Sequence, residues 1–174
     1  EAFGERIEKI KVTTGDTDSI ALGFGGFNSR QAVMAGSSAH LAATALRKKV
    51  LAVAGFMLDA APSVLDIVEG KVVSRDNLPQ RTLSFGEIAR VAIGRPGFVL
   101  PPGITPGLSE TGFHVADAMA YSYGAAAAEV EVDVETGGVS VTRIVFSHDC
   151  GRAIHPAIVE GQILGGIAHE IGRA

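Results

Sequence analysis

Apolar and polar positions alternate over residues 7–13, with Ile7, Lys9, Lys11 and Thr13 on one side of an extended chain and Glu8, Ile10 and Val12 on the other. A period of two predicts a β-strand there. Gly15-Asp-Thr-Asp18 follows as a turn, and Gly23-Phe-Gly-Gly-Phe-Asn-Ser-Arg30 as a glycine-rich loop. Asn28 and Ser29 are both good N-cap types and mark the start of a long helix. Ala, Leu, Arg and Lys dominate the stretch up to Ala60 or Ala61, where Pro62 stops it. So many alanines predict close approach by a neighbouring element, and Gly36 and Gly55 are weak points inside the helix. Short strands are expected at residues 64–68 and 71–73, turned by Glu69-Gly70. A helix over residues 83–93 has Ser84 as its cap and Glu87 three positions on, a capping-box pattern. Residues 94–106, rich in Pro and Gly, read as a loop. Residues 125–134 and 139–147 form a β pair around Glu135-Thr-Gly-Gly138, which is turn chemistry. Residues 156–171 are apolar with helical period, and Pro156 suits a first helical position. The predicted fold is α+β: locally paired, mostly antiparallel strands, with a long alanine-rich helix and a C-terminal helix packed on them.

Composition narrows the function classes. A chain of 174 residues suits one domain or part of a larger one, and 47% hydrophobic against 20% charged residues permits a sizeable core. The 22 glycines exceed the roughly 12 of ordinary usage. They cluster at Gly23, Gly25 and Gly26 and at Gly161, Gly165 and Gly166, as tight turns or close ligand approach require. A net charge of -4 gives no electrostatic reason to expect nucleic acid or an anionic membrane as partner. No apolar run approaches the ~18 residues of a membrane span. The single cysteine, Cys150, leaves no internal disulfide and no multi-cysteine iron–sulfur or zinc site. A reducing, cytoplasmic location fits this best. The opening Glu1-Ala-Phe-Gly4 reads like the last turn of a helix, and the chain closes inside an apolar periodic run; both predict a piece of a longer polypeptide.

Two stretches are candidates for chemistry. Residues 23–30 lead straight into a helix, whose first amides point outward at the positive end of the dipole. Glycines permit close approach to a phosphate, Ser29 can donate a hydroxyl hydrogen bond, and Arg30 can pair with phosphate oxygens. The alternative is a tight loop that caps a packed helix. No P-loop or dinucleotide fingerprint is present. The second stretch is Asp149-Cys-Gly-Arg152 with Gly161-Gln-Ile-Leu-Gly-Gly166, in which a glycine-flanked Gln162 opens a helix and offers a donor and an acceptor on one flat amide. A glutamine that satisfies backbone groups in a turn is the alternative. His40, His114, His148, His155 and His169 show no metal-ligand spacing, so no protein-ligated metal is expected. Cys150 with His148 is a conceivable nucleophilic pair on one strand face, against a packed, inert cysteine. Glu129 and Glu131 are expected on a solvated strand face.

The order of motifs resembles the molybdopterin-binding large subunits of the xanthine dehydrogenase, aldehyde oxidase and aerobic carbon monoxide dehydrogenase family. The family's V-x-x-G-D-T-D segment is matched by Val12-Thr-Thr-Gly-Asp-Thr-Asp18, and its glycine-rich stretch ending in S-R by Gly25-Gly-Phe-Asn-Ser-Arg30. Further on stand Tyr121-Ser-Tyr-Gly-Ala-Ala-Ala-Ala-Glu-Val-Glu-Val-Asp-Val-Glu-Thr-Gly137, Asp149-Cys-Gly-Arg-Ala-Ile-His-Pro156 and Gly161-Gln-Ile-Leu-Gly-Gly166. The resemblance implies a molybdopterin cofactor with molybdenum, often the cytosine dinucleotide form, in a domain of which residues 1–174 are a part. It assigns cofactor contact to Asp16, Gly26, Phe27, Asn28, Ser29, Arg30, Gln31 and Gln162, with the Ser29-Arg30 loop at the phosphates or nucleotide and Gln162 facing the pterin. It implies hydroxylation of an aldehyde or N-heterocycle with oxygen from water, or oxidation of carbon monoxide. Electrons would leave through iron–sulfur clusters and FAD on partner subunits or domains. No residue matches a catalytic position of the family. Its general-base glutamate, in a G-x-G-E segment, is expected beyond Ala174, and its upstream glycine–glutamine segment before Glu1. The expectation is therefore a fragment or split subunit that works with the rest of the large subunit. His155 stands where Asn is usual, and Ala126 where many members have His. A non-catalytic cofactor- or partner-binding module of the same fold is the alternative.

Overall fold

The computed structural model describes residues 2–20, 23, 25–75, 82–94 and 96–173, with the backbone alone at Arg173. Phe24 of the glycine-rich loop and the end residues Glu1 and Ala174 lie outside the described residues. The chain divides into two compact units, Glu1–Ala116 and Asp117–Ala174. The α+β class holds, with both sheets antiparallel.

The first unit is organised by α1, Ser37–Leu58. Strong helix formers carry it, and it ends at Asp59 in the left-handed region (φ 52°), where Ala60 N–H donates to the Gly55 carbonyl at 2.9 Å. Pro62 then opens a short 3-10 turn, Pro62–Val64. Strands β1, Leu65–Val68, and β2, Lys71–Ser74, pair antiparallel from Leu65↔Ser74 to Val68↔Lys71. Glu69 and Gly70 between them both have positive φ, 48° and 69°, as the two-residue hairpin turn demands. The short β3, Leu83–Ser84, adds to β2. Ser84 also caps α2, Phe85–Ala92: Glu87 N–H donates to Ser84 Oγ at 3.3 Å, and Ser84 N–H donates to Glu87 Oε2 at 2.8 Å. This is the capping box that the sequence predicts.

The core forms where these elements meet. Val50, Val53 and Ala54 of α1, Leu65 and Val72 of the sheet, and Ile88 and Ala92 of α2 are almost wholly buried. Asp66 ties the sheet to α1. It accepts from Arg47 on α1, from Arg75 Nη2 at 2.6 Å and from Ile67 N–H at 2.8 Å. The Arg75 guanidinium above all, then the Ile67 amide, holds its carboxyl below the usual range.

Two expectations fail in this unit. Residues 7–13 are not a strand: Ile7–Lys9 is a 3-10 turn, with Lys9 N–H on the Arg6 carbonyl and Ile10 N–H on the Ile7 carbonyl, both at 3.0 Å. Alternation supplies a pattern but not a neighbouring edge, and these amides find local carbonyls instead. Asn28 and Ser29 do not cap α1 either. Both are left-handed (φ 58° and 53°), whereas an N-cap needs extended backbone to bring its side chain to the third amide. Helical backbone begins at Gln31, passes through a π turn, Ala32–Gly36, and becomes α-helical at Ser37.

The second unit is a hairpin and a helix. Strands β4, Tyr123–Val132, and β5, Val139–Asp149, pair from Tyr123↔Asp149 to Val132↔Val139, with a bulge at Glu129/Val130. The pair runs two residues further than predicted at its open end. In the turn, Asp133 Oδ1 accepts from Glu135 N–H at 2.9 Å and Thr136 N–H at 3.3 Å, and Gly137 takes a φ of 75°. Helix α3 is Pro156–Arg173. Its Ile158 N–H donates to Nδ1 of His155, the residue before the helix, at 3.3 Å. Val159, Ile163 and Ile167, spaced by four, form a half-buried stripe along α3. No helix among the described residues is long and apolar enough to cross a membrane.

Candidate functional site

The loop of residues 25–31 folds back on itself. Gly25 takes a φ of 69°, and Asn28 and Ser29 are successive non-glycine residues in the left-handed region. Such residues cost of order 1–3 kcal/mol each and concentrate where a backbone is held for a purpose. Arg30 spans the loop: its Cζ lies 3.9 Å from the centre of the Phe27 ring, and its Nε and Nη2 both donate to the Gly25 carbonyl at 3.3 Å. Gln31 closes the other side. A Cβ on Gly26 would lie 2.8 Å from Cγ and Nε2 of Gln31, so the Gln31 side chain lies directly over Gly26. Met34 N–H then donates to the Arg30 carbonyl at 2.8 Å, which fixes the loop to the first helical turn. Asn28 and Ser29 are exposed and Arg30 is half-buried. Hydroxyl, amide, guanidinium and first-turn amides thus stand together at a helix start, a donor set suited to an oxyanion.

Asp16 belongs to a separate, upstream turn. Its Oδ1 accepts from Asp18 N–H at 3.1 Å and its Oδ2 from the Ser19 hydroxyl at 2.7 Å. The Ser19 hydroxyl first, and the Asp18 amide second, hold its carboxyl below the usual range. Both oxygens therefore serve the turn that precedes the loop.

Gln162 lies in the second unit, inside α3 and not at its start, because the helix already begins at Pro156. Its side chain is exposed, and added Cβ atoms at Gly161, Gly165 and Gly166 would meet open space. The structure therefore gathers Gly26, Phe27, Asn28, Ser29, Arg30 and Gln31 into one loop and leaves Asp16 and Gln162 on other elements.

The other candidates resolve simply. Cys150 is exposed, not packed, and lies beyond the end of β5. His148 stacks on Phe146, two residues back on the same strand face, at 5.7 Å between centroids. The strand ends before Cys150, so strand alternation does not place Cys150 beside His148. Glu129 and Glu131 are exposed, as expected, and Glu129 pairs in register with Arg143. Among the described residues no group of three or more His, Cys, Asp or Glu side chains is placed to hold a metal. Sequence reasoning missed Lys49, the one buried charged residue among the described ones. Its signal was present, since it sits four residues before Val53 on the buried face of α1.

Helix-borne loop, α+β architecture and sequence together define a class: the chain belongs to the family of molybdopterin cofactor-binding domains, whose sequence model matches residues 1–174. It is 35% identical over 169 residues to the 6-hydroxypseudooxynicotine dehydrogenase complex subunit gamma of Paenarthrobacter nicotinovorans, covering 96% of this chain and 20% of that protein. It is 30% identical over 167 residues to the carbon monoxide dehydrogenase large chain of Afipia carboxidovorans, covering 95% and 20%. The crystal structure of quinoline 2-oxidoreductase from Pseudomonas putida 86 superposes with a TM-score of 0.71 at 36% identity, over 87% of this chain and 19% of that one. The chain spans about a fifth of the length of these relatives.

Proposed function

We propose that residues 25–31 hold the phosphates or nucleotide portion of a molybdopterin cofactor, and that residues 1–174 are part of the cofactor-binding domain of a molybdenum hydroxylase large subunit. The observation that carries this reading is the strained, Arg30-spanned loop at the start of a long helix. Its donors fit the cofactor's phosphoester chemistry. Ser29 and Asn28 offer side-chain donors from left-handed positions, Arg30 supplies positive charge, Gln31 supplies an amide, and the first helical amides add the positive end of a dipole. Gly26 and Phe27 shape the loop, and Asp16 braces the turn before it. The family resemblance also assigns Gln162, on α3, to the pterin. The bound group supplies the redox chemistry, while these side chains bind and orient it. No catalytic residue is assigned within this chain.

The relatives extend the proposal. Their names concern 6-hydroxypseudooxynicotine, carbon monoxide and quinoline, which supports oxidation of carbon monoxide or water-derived hydroxylation of an aldehyde or N-heterocycle. In this reading the cofactor is the cytosine dinucleotide form, the remainder of the large subunit completes the site, iron–sulfur clusters and FAD sit on partner subunits, and the assembly is cytoplasmic. The test is to purify the full-length protein with its co-purifying subunits and measure molybdenum, pterin and the nucleotide freed by mild acid. One molybdenum and one cytidine monophosphate per large subunit are expected; a stoichiometric complex with no pterin overturns the proposal.

A further inference from the structure

We propose that residues 105–114 act as a strap that fixes the direction of the first half of α1, making Ser38, Lys49 and Gly112 positioning residues for the loop at residues 25–31. The cofactor role of that loop rests on the reading above; the strap itself rests on separate geometry. The buried positions of α1 begin at Lys49, and residues 37–48 reach at most half-burial. Leu46 packs against the buried cluster and Arg47 binds Asp66, so the core grips the helix from Leu46 onward. Residues 37–45 project about 14 Å beyond it, at 1.5 Å per residue, and carry the loop at their far end.

The strap starts in the core, where Ile104 and Leu108 pack against the buried cluster. It is then fixed to α1 at both ends. At one end Lys49, 5% exposed, donates from Nζ to Glu110 Oε1 at 2.9 Å, to Thr105 Oγ1 at 2.9 Å and to the Ser109 carbonyl at 3.4 Å. An ammonium has three donors, and all three are used. At the other end His114 N–H donates to Ser38 Oγ at 3.0 Å. Between these points Gly112 lies flat on the helix: an added Cβ would fall 2.3 Å from the Ser38 carbonyl oxygen and 2.6 Å from Ala42 N. This is the close approach that an alanine-rich helix permits, with glycine as its other half. Residues 112 and 114 turn toward α1 and residues 111, 113 and 115 away, as in an extended chain. A helix is stiff along its axis. Anchors at Ser38 and Lys49, about 16 Å apart, therefore fix where its first turn and the loop stand relative to the core.

The test uses the full-length protein with its subunits, in wild-type, Gly112→Ala, Ser38→Ala and Arg30→Ala forms. Amide hydrogen exchange is read separately for residues 31–42 and for core residues 50–54, 65–73 and 88–92, together with bound pterin. For Gly112→Ala we expect exchange in residues 31–42 to rise about tenfold or more while the core is unchanged, with pterin content falling in step. Ser38→Ala, which removes only the His114 hydrogen bond, gives the same pattern at smaller amplitude and serves if Gly112→Ala does not fold. Unchanged exchange in residues 31–42, or an equal rise in the core, overturns the strap. Arg30→Ala that loses pterin while Gly112→Ala keeps it also overturns the strap alone. Arg30→Ala that keeps its full pterin refutes the loop reading and the positioning role with it.

Discussion

In the first unit α1, α2 and the three-stranded sheet close over Val53, Val72 and Ile88 until each is 0% exposed, whereas in the second unit β4 and β5 pair along ten ladder positions with every residue of β4 exposed. Val130, Val132, Val139 and Val145 of that hairpin are each about half exposed, between 50% and 59%. The difference separates two sources of structure. Burial holds the first unit together. The second has its pattern from backbone pairing and from local turn chemistry at Asp133 and Gly137. A two-stranded hairpin of this kind is marginal in water unless something covers a face.

The largest expected effect breaks the symmetry between the units. Ile88→Ala should cost about 2–5 kcal/mol in urea unfolding, because it empties a fully buried site. Val145→Ala on β5 should stay within about 0.5 kcal/mol, as an exposed substitution does. Equal costs would mean that the hairpin is as well packed as the core. Next comes Gly55→Ala, expected to destabilise by about 1–3 kcal/mol, because overpacking outweighs any gain in helix propensity. The added methyl would meet the Ala60 carbonyl oxygen at 2.6 Å. Thermal unfolding reads it, and a stabilised variant would show that the chain after α1 yields easily.

A third test uses acid. Asp66 has a depressed folded-state pKa, so its contribution is present above the unfolded value of about 3.9 and is lost as pH falls through the folded value. Stability of the wild type should therefore drop as pH falls below about 4 by more than that of Asp66→Asn, and parallel curves would remove Asp66 as a brace between α1 and the sheet. The smallest effect is Ser84→Ala, at about 1 kcal/mol for a lost cap, with the change centred on α2.

Much of this fold is legible in the sequence, where the signal is local. The Ser84–Glu87 capping box, the Glu69-Gly70 hairpin and the β4–β5 turn each lie within a few residues and are specified by the chemistry of those residues. The failures turn on contacts that residue types alone do not specify. Residues 7–13 alternate correctly yet meet no strand edge. Asn28 and Ser29 are cap types, but the Phe27–Arg30 contact and Gln31 against Gly26 shape the loop differently. That residues 23–30 form a loop is legible from their glycines; the left-handed backbone at Asn28 and Ser29 and the Arg30 span are not. Lys49 stands in register with Val53 on the buried face of α1, but its partners Thr105 and Glu110 lie more than fifty positions on.

The most direct measurement of the central claim is the cofactor content of the full-length protein carrying Arg30→Ala, beside Arg90→Ala, which removes an exposed arginine at the end of α2. The account predicts that Arg90→Ala retains pterin at the wild-type level while Arg30→Ala loses about nine-tenths or more of it, since a charge-assisted contact to phosphate is worth roughly tenfold or more in affinity. Full pterin in Arg30→Ala would contradict it.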